Sequence, residues 1–360
     1  MKYALIGCGR IAVNHIAAAL QAGLELTAVC DVQPEKMEQL LAHFSLDTEQ
    51  GIRRYTDYRQ LLRQHPDLQL CAIATESGRH AAIALDCIDA GVNLIVEKPL
   101  AMSIADAQEI VRRSGERGVL VCACHQNRFN AAVQQTKRAL DSGRLGRLSH
   151  ASLQVRWHRD RAYYEQAAWR GTWEQDGGCL MNQCIHGLDL LRWLIGAEPK
   201  TVYGRICRQQ HPYIQAEDLG MALIEFGNGV LATAEGTTNV YPEDLEETIC
   251  LFGENGTIKI GGTCANRIDI WRLSDEAGAD GLLDEYTQNI YGNGHVRLYA
   301  DVVQALRTGR APYVDAQAGK RALELVLAIY ESQRTGLPVT LPLERTASAQ
   351  MRGWFSKTTT

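Results

Sequence analysis

Apolar and polar positions in the first 125 residues fall into two alternating textures. Short apolar runs of strand length occupy residues 3–6, 26–30, 68–74, 92–96 and 119–123, with a shorter strand end at 55–57. Between them, apolar residues recur at helical spacing from residue 12 onward and over 34–43, 58–63, 81–90 and 103–115. Pro34 suits the start of one of these helices, Gly91 closes another, and Ser103 with Asp106 supplies an N-cap and an acidic first turn to the last. The run over 68–74 is almost continuously apolar, as a central parallel strand covered on both faces must be. Strand and helix in strict alternation predict an α/β doubly wound parallel sheet, whose ligands bind beyond the carboxyl ends of its strands.

After a helix over 131–140 the pattern changes. Residues 147–157 alternate like a half-buried strand. From about 202 to 273, strand-length runs are separated by glycine turns such as Phe226-Gly227-Asn228-Gly229-Val230 and Phe252-Gly253-Glu254-Asn255-Gly256-Thr257, which are hairpin signals. These predict a one-sided, mainly antiparallel sheet. A helix is expected over 179–195, stopped by Gly196, and helical period returns over 297–308 and 316–335; residues 356–360 read as a frayed tail. A chain of 360 residues suits two domains. The expected division is a parallel-sheet domain over 1–124 and a second domain over 125–360, its last helices free to pack back on the first.

Composition narrows the function classes. With 46% hydrophobic and 22% charged residues the chain is ordinary globular material. A net charge of −5 with scattered Arg and Lys argues against nucleic acid or an anionic membrane as partner. No apolar stretch approaches the ~18 residues of a membrane span, and no apolar segment with a cleavage site follows Met1-Lys2, so a cytoplasmic protein is expected. The 11 cysteines include no C-x-x-C. Cys30, Cys71, Cys87, Cys122 and Cys250 sit in apolar patterns, where cysteine acts as a small hydrophobe. Cys179, Cys184 and His186 lack a fourth ligand at zinc spacing, so no metal is expected.

Candidate chemistry begins at the first strand. It runs into Gly7-Cys8-Gly9-Arg10-Ile11-Ala12, a G-x-G-x-x-A turn that lets backbone approach a pyrophosphate and aims a helix N-terminus at its charge. The next strand ends in Asp31, ~20 residues on, where an acid binds the ribose of NAD. Three later strand ends are polar: Thr75-Glu76-Ser77-Gly78-Arg79-His80, Glu97-Lys98-Pro99 and His125-Gln126-Asn127-Arg128. Lys98 ends an apolar strand, where partial desolvation suits it to proton transfer. Spacing alone leaves it equally a surface lysine paired with Glu97. Farther on, Asn182 and His186 are four apart on the predicted helix that follows Gly177-Gly178, and Asp189 is spaced to orient the imidazole. A histidine on a helix is also often a satisfied core residue. Arg156, Tyr163, Trp169 and Arg170 lie in an aromatic and basic stretch able to cradle a sugar or to wedge a connecting loop.

With these motifs the chain resembles the Gfo/Idh/MocA oxidoreductases (glucose–fructose oxidoreductase, inositol dehydrogenase and relatives) over nearly its whole length. The resemblance rests on the G-x-G-x-x-A turn, Glu97-Lys98-Pro99, the Gly177-Gly178…His186 helix and the final helix around 325–336. It implies a Rossmann domain followed by an open-faced, mainly antiparallel sheet with helices on one face, whose outer face forms a homodimer or homotetramer interface. It implies that Gly7, Gly9, Arg10 and Ile11 hold the pyrophosphate and Asp31 the adenosine ribose. Thr75, Glu76, His80, Glu97, Lys98 and Asn127 would line the nicotinamide half. Lys98 and His186 match the family's acid/base pair, with Arg128, Arg156, Tyr163, Trp169, Arg170 and Asn182 expected around the substrate. Relatives often carry Asp where this chain has Asn182, and an amide takes no proton. Asn there resembles the branch acting on UDP-N-acetyl-amino-sugar uronates.

The resulting expectation is an NAD-dependent enzyme that oxidises or reduces a secondary hydroxyl or ketone of a sugar, nucleotide sugar or cyclitol. Two alternatives stand beside it: an NAD-recycling glycosidase or epimerase of the same fold, and a non-catalytic nucleotide-sensing regulator.

Overall fold

A computed structural model describes residues 1–46, 51–274 and 294–356. Over the first 125 residues the elements are β1 (Lys2–Ile6), α1 (Ala12–Gln21), β2 (Glu25–Cys30), α2 (Pro34–His43), β3 (Arg53–Tyr55) and α3 (Tyr58–Gln64). They continue with β4 (Leu70–Ile73), α4 (His80–Asp89), β5 (Asn93–Val96), α5 (Ile104–Arg117) and β6 (Val121–Ala123). All six strands pair in parallel, in the order β3-β2-β1-β4-β5-β6. The strand order reverses between β1 and β4, and a doubly wound sheet opens its binding crevice at such a point. Residues Tyr3 to Ile6 and Leu70 to Ile73 are no more than 2% exposed, which is why these strands are apolar at every position rather than at alternate ones.

The chain then forms α6 (Ala131–Asp141), β7 (Leu148–Arg156), α7 (Arg161–Glu165), α8 (Cys179–Asn182) and α9 (Ile185–Ile195). After them come β8 (Pro199–Cys207), β9 (Leu219–Phe226), β10 (Leu231–Thr237), β11 (Glu246–Gly253), β12 (Gly256–Gly261) and β13 (Arg267–Leu273). The last elements are α10 (Gly294–Thr308), α11 (Ala316–Thr335) and β14 (Val339–Thr340). Eight strands form the second sheet, in the order β13-β12-β11-β7-β10-β9-β8-β14. Every pairing is antiparallel except β7 with β10. Both glycine turns close hairpins, β9–β10 and β11–β12. One face of the sheet is buried: Leu153 and Val155 of β7 press on α9 so closely that a Cβ on Gly187 would lie 2.8 Å from Leu153. The other face leaves Tyr203, Met221, Leu223 and Leu231 between 40% and 51% exposed.

The chain divides into two compact units. The first contains Met1–Ala101, Ala105–His125 and His295–Lys320; the second contains Met102–Ile104, Gln126–Gly294 and Arg321–Thr360. Helix α10 thus completes the parallel-sheet unit, where the Tyr299 and Tyr3 hydroxyls meet at 2.8 Å. The helix expected over 179–195 is broken at Gln183 and Cys184. There the Cys184 N–H reaches back five residues to the Cys179 carbonyl, widening the turn and starting α9 afresh. The tail expected over 356–360 lies outside the described residues apart from Ser356. All 11 cysteines are free thiols. Among the described residues, no helix is long and apolar enough to cross a membrane.

Candidate active site

In the parallel-sheet unit, the glycine turn is built by close approach. Gly7 has φ +97°, and a Cβ there would lie 2.5 Å from the Ala74 backbone at the end of β4, so only glycine fits. A Cβ on Gly9 would meet nothing within 4 Å, which leaves the turn open on its other side. Among the described residues, the amides of Gly9, Arg10 and Ile11 donate to no protein acceptor, and α1 begins directly after them. Unpaired N–H groups at a helix N-terminus form a cradle for a pyrophosphate. Asp31 ends β2 with both oxygens turned toward this turn's surroundings: Oδ2 accepts the Cys8 N–H at 2.8 Å and Oδ1 the Gln33 N–H at 2.9 Å. A carboxylate has about four acceptor sites, so capacity for a ribose hydroxyl remains. These residues fit a dinucleotide.

The next strand ends carry the other expected groups. Thr75 and Glu76 are half-buried after β4, and Arg10 is exposed. His80, 1% exposed, stands between the Pro99 carbonyl, 2.8 Å from Nδ1, and the Thr75 carbonyl, 3.1 Å from Nε2, and so ties the β5 loop to the β4 loop. Burial lowers its pKa. Lys98 is half-buried, and its backbone N–H donates to Glu97 Oε2 at 3.1 Å. The Glu97 side chain turns inward, where His15 Nε2 and His295 Nε2 approach Oε1 at 3.1 and 3.4 Å. Neither histidine was expected at the site. His15 falls on the buried side of α1, a signal the sequence held; His295 carries none.

In the second unit, His186 stands in the first turn of α9, 6% exposed, and the Gln126 amide approaches its Nε2 at 3.4 Å. Asn127 is buried on the same unit, its amide 3.4 Å from Glu247 Oε2. Because the helix breaks, Asn182 and His186 do not share a continuous helical face. The Asn182 amide instead hydrogen-bonds Asp176, and its Oδ1 accepts from Gln183 at 2.6 Å. Gln183 in turn donates to the Tyr163 hydroxyl at 2.8 Å and accepts from Arg159 at 3.0 Å. Arg170 lies over the Tyr163 ring at 4.2 Å and over Trp169 at 4.9 Å, while Arg159 lies 5.3 Å from the same Tyr163 ring. Arg159 is paired with Asp244 at 2.8 Å. Arg170 makes no ion pair with any described residue, and its Nε is buried without a hydrogen-bond partner.

Two expected substrate arginines are engaged elsewhere. Arg128 is not placed for substrate: it is 3% exposed, and its guanidinium grips Asp189 in two bonds of 2.7 and 2.5 Å. The same pair engages both oxygens of Asp189. Arg156 is removed by strand alternation. It points to the sheet face opposite Val155 and α9, where it binds Glu235 at 2.6 Å and Glu246 at 2.8 Å.

The second unit also holds an acid that the sequence did not single out. Glu217 is fully buried behind Gly178, where a Cβ would lie 1.8 Å from its Oε2. Its Oε1 accepts the Leu180 N–H at 3.0 Å and the Tyr330 hydroxyl at 2.8 Å. Burial pushes this carboxyl up to about 8.

Comparison with known proteins agrees with this geometry. Residues 1–125 match the oxidoreductase family with NAD-binding Rossmann fold, and residues 133–259 match the Gfo/Idh/MocA C-terminal domain. The crystal structure of the WlbA dehydrogenase from Bordetella pertussis, in complex with NADH and UDP-GlcNAcA, is 35% identical. The match covers 96% of this chain and 99% of that one, with a TM-score of 0.85. Scyllo-inositol 2-dehydrogenase (NAD(+)) of Bacillus subtilis is 25% identical over 352 residues, covering 96% of this chain and 97% of that protein. The 2,7-anhydro-N-acetylneuraminate hydratase of Mediterraneibacter gnavus is 27% identical over 277 residues, 72% of this chain and 68% of its own. Both halves of the molecule therefore lead to one conclusion: the chain belongs to the Gfo/Idh/MocA oxidoreductase family, as an NAD-dependent enzyme whose first unit is the NAD(H)-binding Rossmann domain.

Proposed function

We propose that this enzyme is a dehydrogenase of a nucleotide-linked amino-sugar uronate, acting on a secondary hydroxyl or the matching ketone. The observation that carries the reading is Arg170: a guanidinium stacked on Tyr163 whose charge no described carboxylate matches. A uronate carboxylate or a diphosphate supplies that charge through paired N–H···O bonds, and an inositol does not. The likeness to WlbA, whose structure holds UDP-GlcNAcA, supports the same class. Tyr163 and Trp169 present ring faces that suit a pyranose, and Asn182, which takes no proton, orients the substrate.

Bound NAD supplies the hydride acceptor at its nicotinamide ring. The protein's task is placement and the proton. The amides of Gly9, Arg10 and Ile11 hold the pyrophosphate beside Gly7, whose own N–H is taken by the Cys30 carbonyl at 2.8 Å; Asp31 holds the adenosine ribose, and Thr75, Glu76, His80, Glu97 and Asn127 the nicotinamide half. Lys98 takes the hydroxyl proton as the hydride leaves, because an oxyanion left in a dry site is very costly. His186 fixes the hydroxyl or relays that proton. The exposed Tyr203, Met221, Leu223 and Leu231 support a homodimer or homotetramer built on the outer sheet face.

The test compares UDP-GlcNAcA, UDP-GlcNAc and scyllo-inositol with NAD present, by thermal shift and by NADH absorbance at ~340 nm. A cognate ligand at ~100 Kd adds roughly 2.7 kcal/mol of stability. UDP-GlcNAcA should stabilise and be turned over, and Arg170→Ala should raise its KM about tenfold or more while leaving NADH binding unchanged. Preference for scyllo-inositol refutes the substrate reading; turnover of a substrate without net NADH transfers it to the recycling class.

A further inference from the structure

We infer that Glu97 is a buried counter-charge that favours the oxidised over the reduced nicotinamide, with His15 and His295 as the positioning residues that hold its carboxylate. His15, Glu97, Cys124 and His295 all lie within the parallel-sheet unit. Glu97 follows β5, and its side chain is 9% exposed. His15 lies in the first turn of α1, directly after the open amides of Gly9, Arg10 and Ile11. The carboxylate is therefore held one helical turn beneath the pyrophosphate cradle. Asp31 of β2 marks the adenosine side of the β1/β4 reversal, and β5 lies on the other side, where the nicotinamide half of a dinucleotide runs.

The hydrogen bonds around Glu97 define its charge. A carboxylate only accepts, so His15 donates through Nε2–H to Oε1 at 3.1 Å. His15 Nδ1 lies 2.7 Å from the Tyr299 hydroxyl, and the Tyr299 and Tyr3 hydroxyls lie 2.8 Å apart. An imidazole carrying one proton, on Nε2, satisfies every group of this chain, with Nδ1 accepting from Tyr299 and Tyr299 from Tyr3. His295 Nε2 donates to the same oxygen at 3.4 Å, and burial lowers its pKa, which favours the uncharged imidazole. The Lys98 N–H serves Oε2 at 3.1 Å. Burial alone would push the Glu97 carboxyl up, but the donors from His15 and His295 outweigh it and hold the acid well below the usual range. Cys124, the remaining group of the cluster, has its thiol pushed up by burial and by Glu97 and stays neutral. The groups facing Glu97 are thus His15 from α1, His295 from α10, Cys124 after β6, and Lys98 next in the chain. Neutral donors satisfy a carboxylate's lone pairs without cancelling its charge. Of the two redox states of the cofactor, only the oxidised one carries a cationic ring for that charge to attract.

The test reads binding, so it needs no substrate. Kd for NAD and for NADH are measured separately by calorimetry on wild type and on Glu97→Gln, which keeps shape and loses charge. The expected result is a loss of NAD affinity about tenfold greater than the loss of NADH affinity, equivalent to a rise of about 30 mV in the potential of the bound couple. Equal losses overturn the inference and make Glu97 a structural acid. Should Glu97→Gln fail to fold, His295→Leu and His295→Gln are compared at pH ~6. The Leu variant, one donor short, should move the Kd ratio toward NADH, and the Gln variant, which still donates, should not. The same ratio in both overturns it. The ligand atoms of His15, Glu97, Cys124 and His295 also lie within 4.8 Å of one another. A stoichiometric metal by elemental analysis would cancel the charge and likewise overturn the inference.

Discussion

Asp31→Asn tests the cofactor site most directly, because the carboxylate of Asp31 does two things at once. Its oxygens accept the Cys8 N–H at 2.8 Å and the Gln33 N–H at 2.9 Å, which closes the glycine turn onto the end of β2. Under the proposed function the same group meets the adenosine ribose, where the 2′-phosphate of NADP would sit, and Val32-Gln33-Pro34 offers that phosphate no cation. An asparagine keeps one acceptor and must turn an NH2 group toward one of the two amides. The ribose hydroxyl loses its charged acceptor at the same time, a bond worth about 1.5–3 kcal/mol. At 1.4 kcal/mol per tenfold, Kd for NADH should rise roughly 10–150-fold. The wild type should favour NAD over NADP by at least tenfold in kcat/KM, about 1.4 kcal/mol, and the variant should narrow that gap as the repulsion disappears. The assays are steady-state kinetics with both cofactors and NADH titration by fluorescence. Equal turnover with NADP in the wild type, or an Asn variant whose NADH affinity changes by less than about twofold, refutes the reasoning.

Lys98→Ala should lower kcat by ~10²–10⁴-fold with NADH binding nearly intact, since the cradle is backbone at Gly9 to Ile11; near-normal turnover would remove Lys98 from proton transfer. Arg128→Met should take from the buried Asp189 the guanidinium that grips it and cost about 3–5 kcal/mol, read as a fall in denaturation midpoint. A stable variant with only a raised KM would restore Arg128 to the substrate. Glu217 has its folded pKa raised to about 8, so folding favours its protonated form. Its contribution is fully present below the unfolded value near 4.5 and is lost as pH rises through about 8. Glu217→Gln should therefore lose less stability than wild type between pH ~5 and ~9 in denaturant titrations, and parallel pH profiles would contradict it.

Much of the fold was legible because burial leaves a period. A strand covered on both faces must be apolar throughout, and residues 68–74 announce β4 for that reason. Hairpins announce themselves through glycines, since a two-sided turn needs backbone that side chains obstruct. The break after Asn182 was not legible. Gln183 and Cys184 continue a helical period, and the change is in the backbone, where Cys184 bonds five residues back rather than four. The parallel pairing of β7 with β10 was hidden for a similar reason: alternation reports which side of a strand is buried, not the direction of its neighbour.

The site divides along the same line. Groups whose role follows from backbone position, such as Gly7 or Asp31, are visible in a local motif, because the turn and the strand end place them whatever else the chain does. Arginines are different. Arg128, Arg156 and Arg170 look alike in sequence, and what separates them is where the carboxylates went. Asp189 lies 61 positions from Arg128, and Glu235 and Glu246 lie 79 and 90 positions from Arg156. No local pattern reports such partners. Glu97 shows the point most sharply: its neighbour Lys98 draws attention to the strand end, yet its own side chain is turned away by His15 and by His295, 198 positions along the chain. A charge that distant donors hold in place is visible only once the chain is folded. Cofactor class can therefore be read from spacing, whereas the proposed choice between substrates and between redox states rests on which charges the fold leaves unmatched.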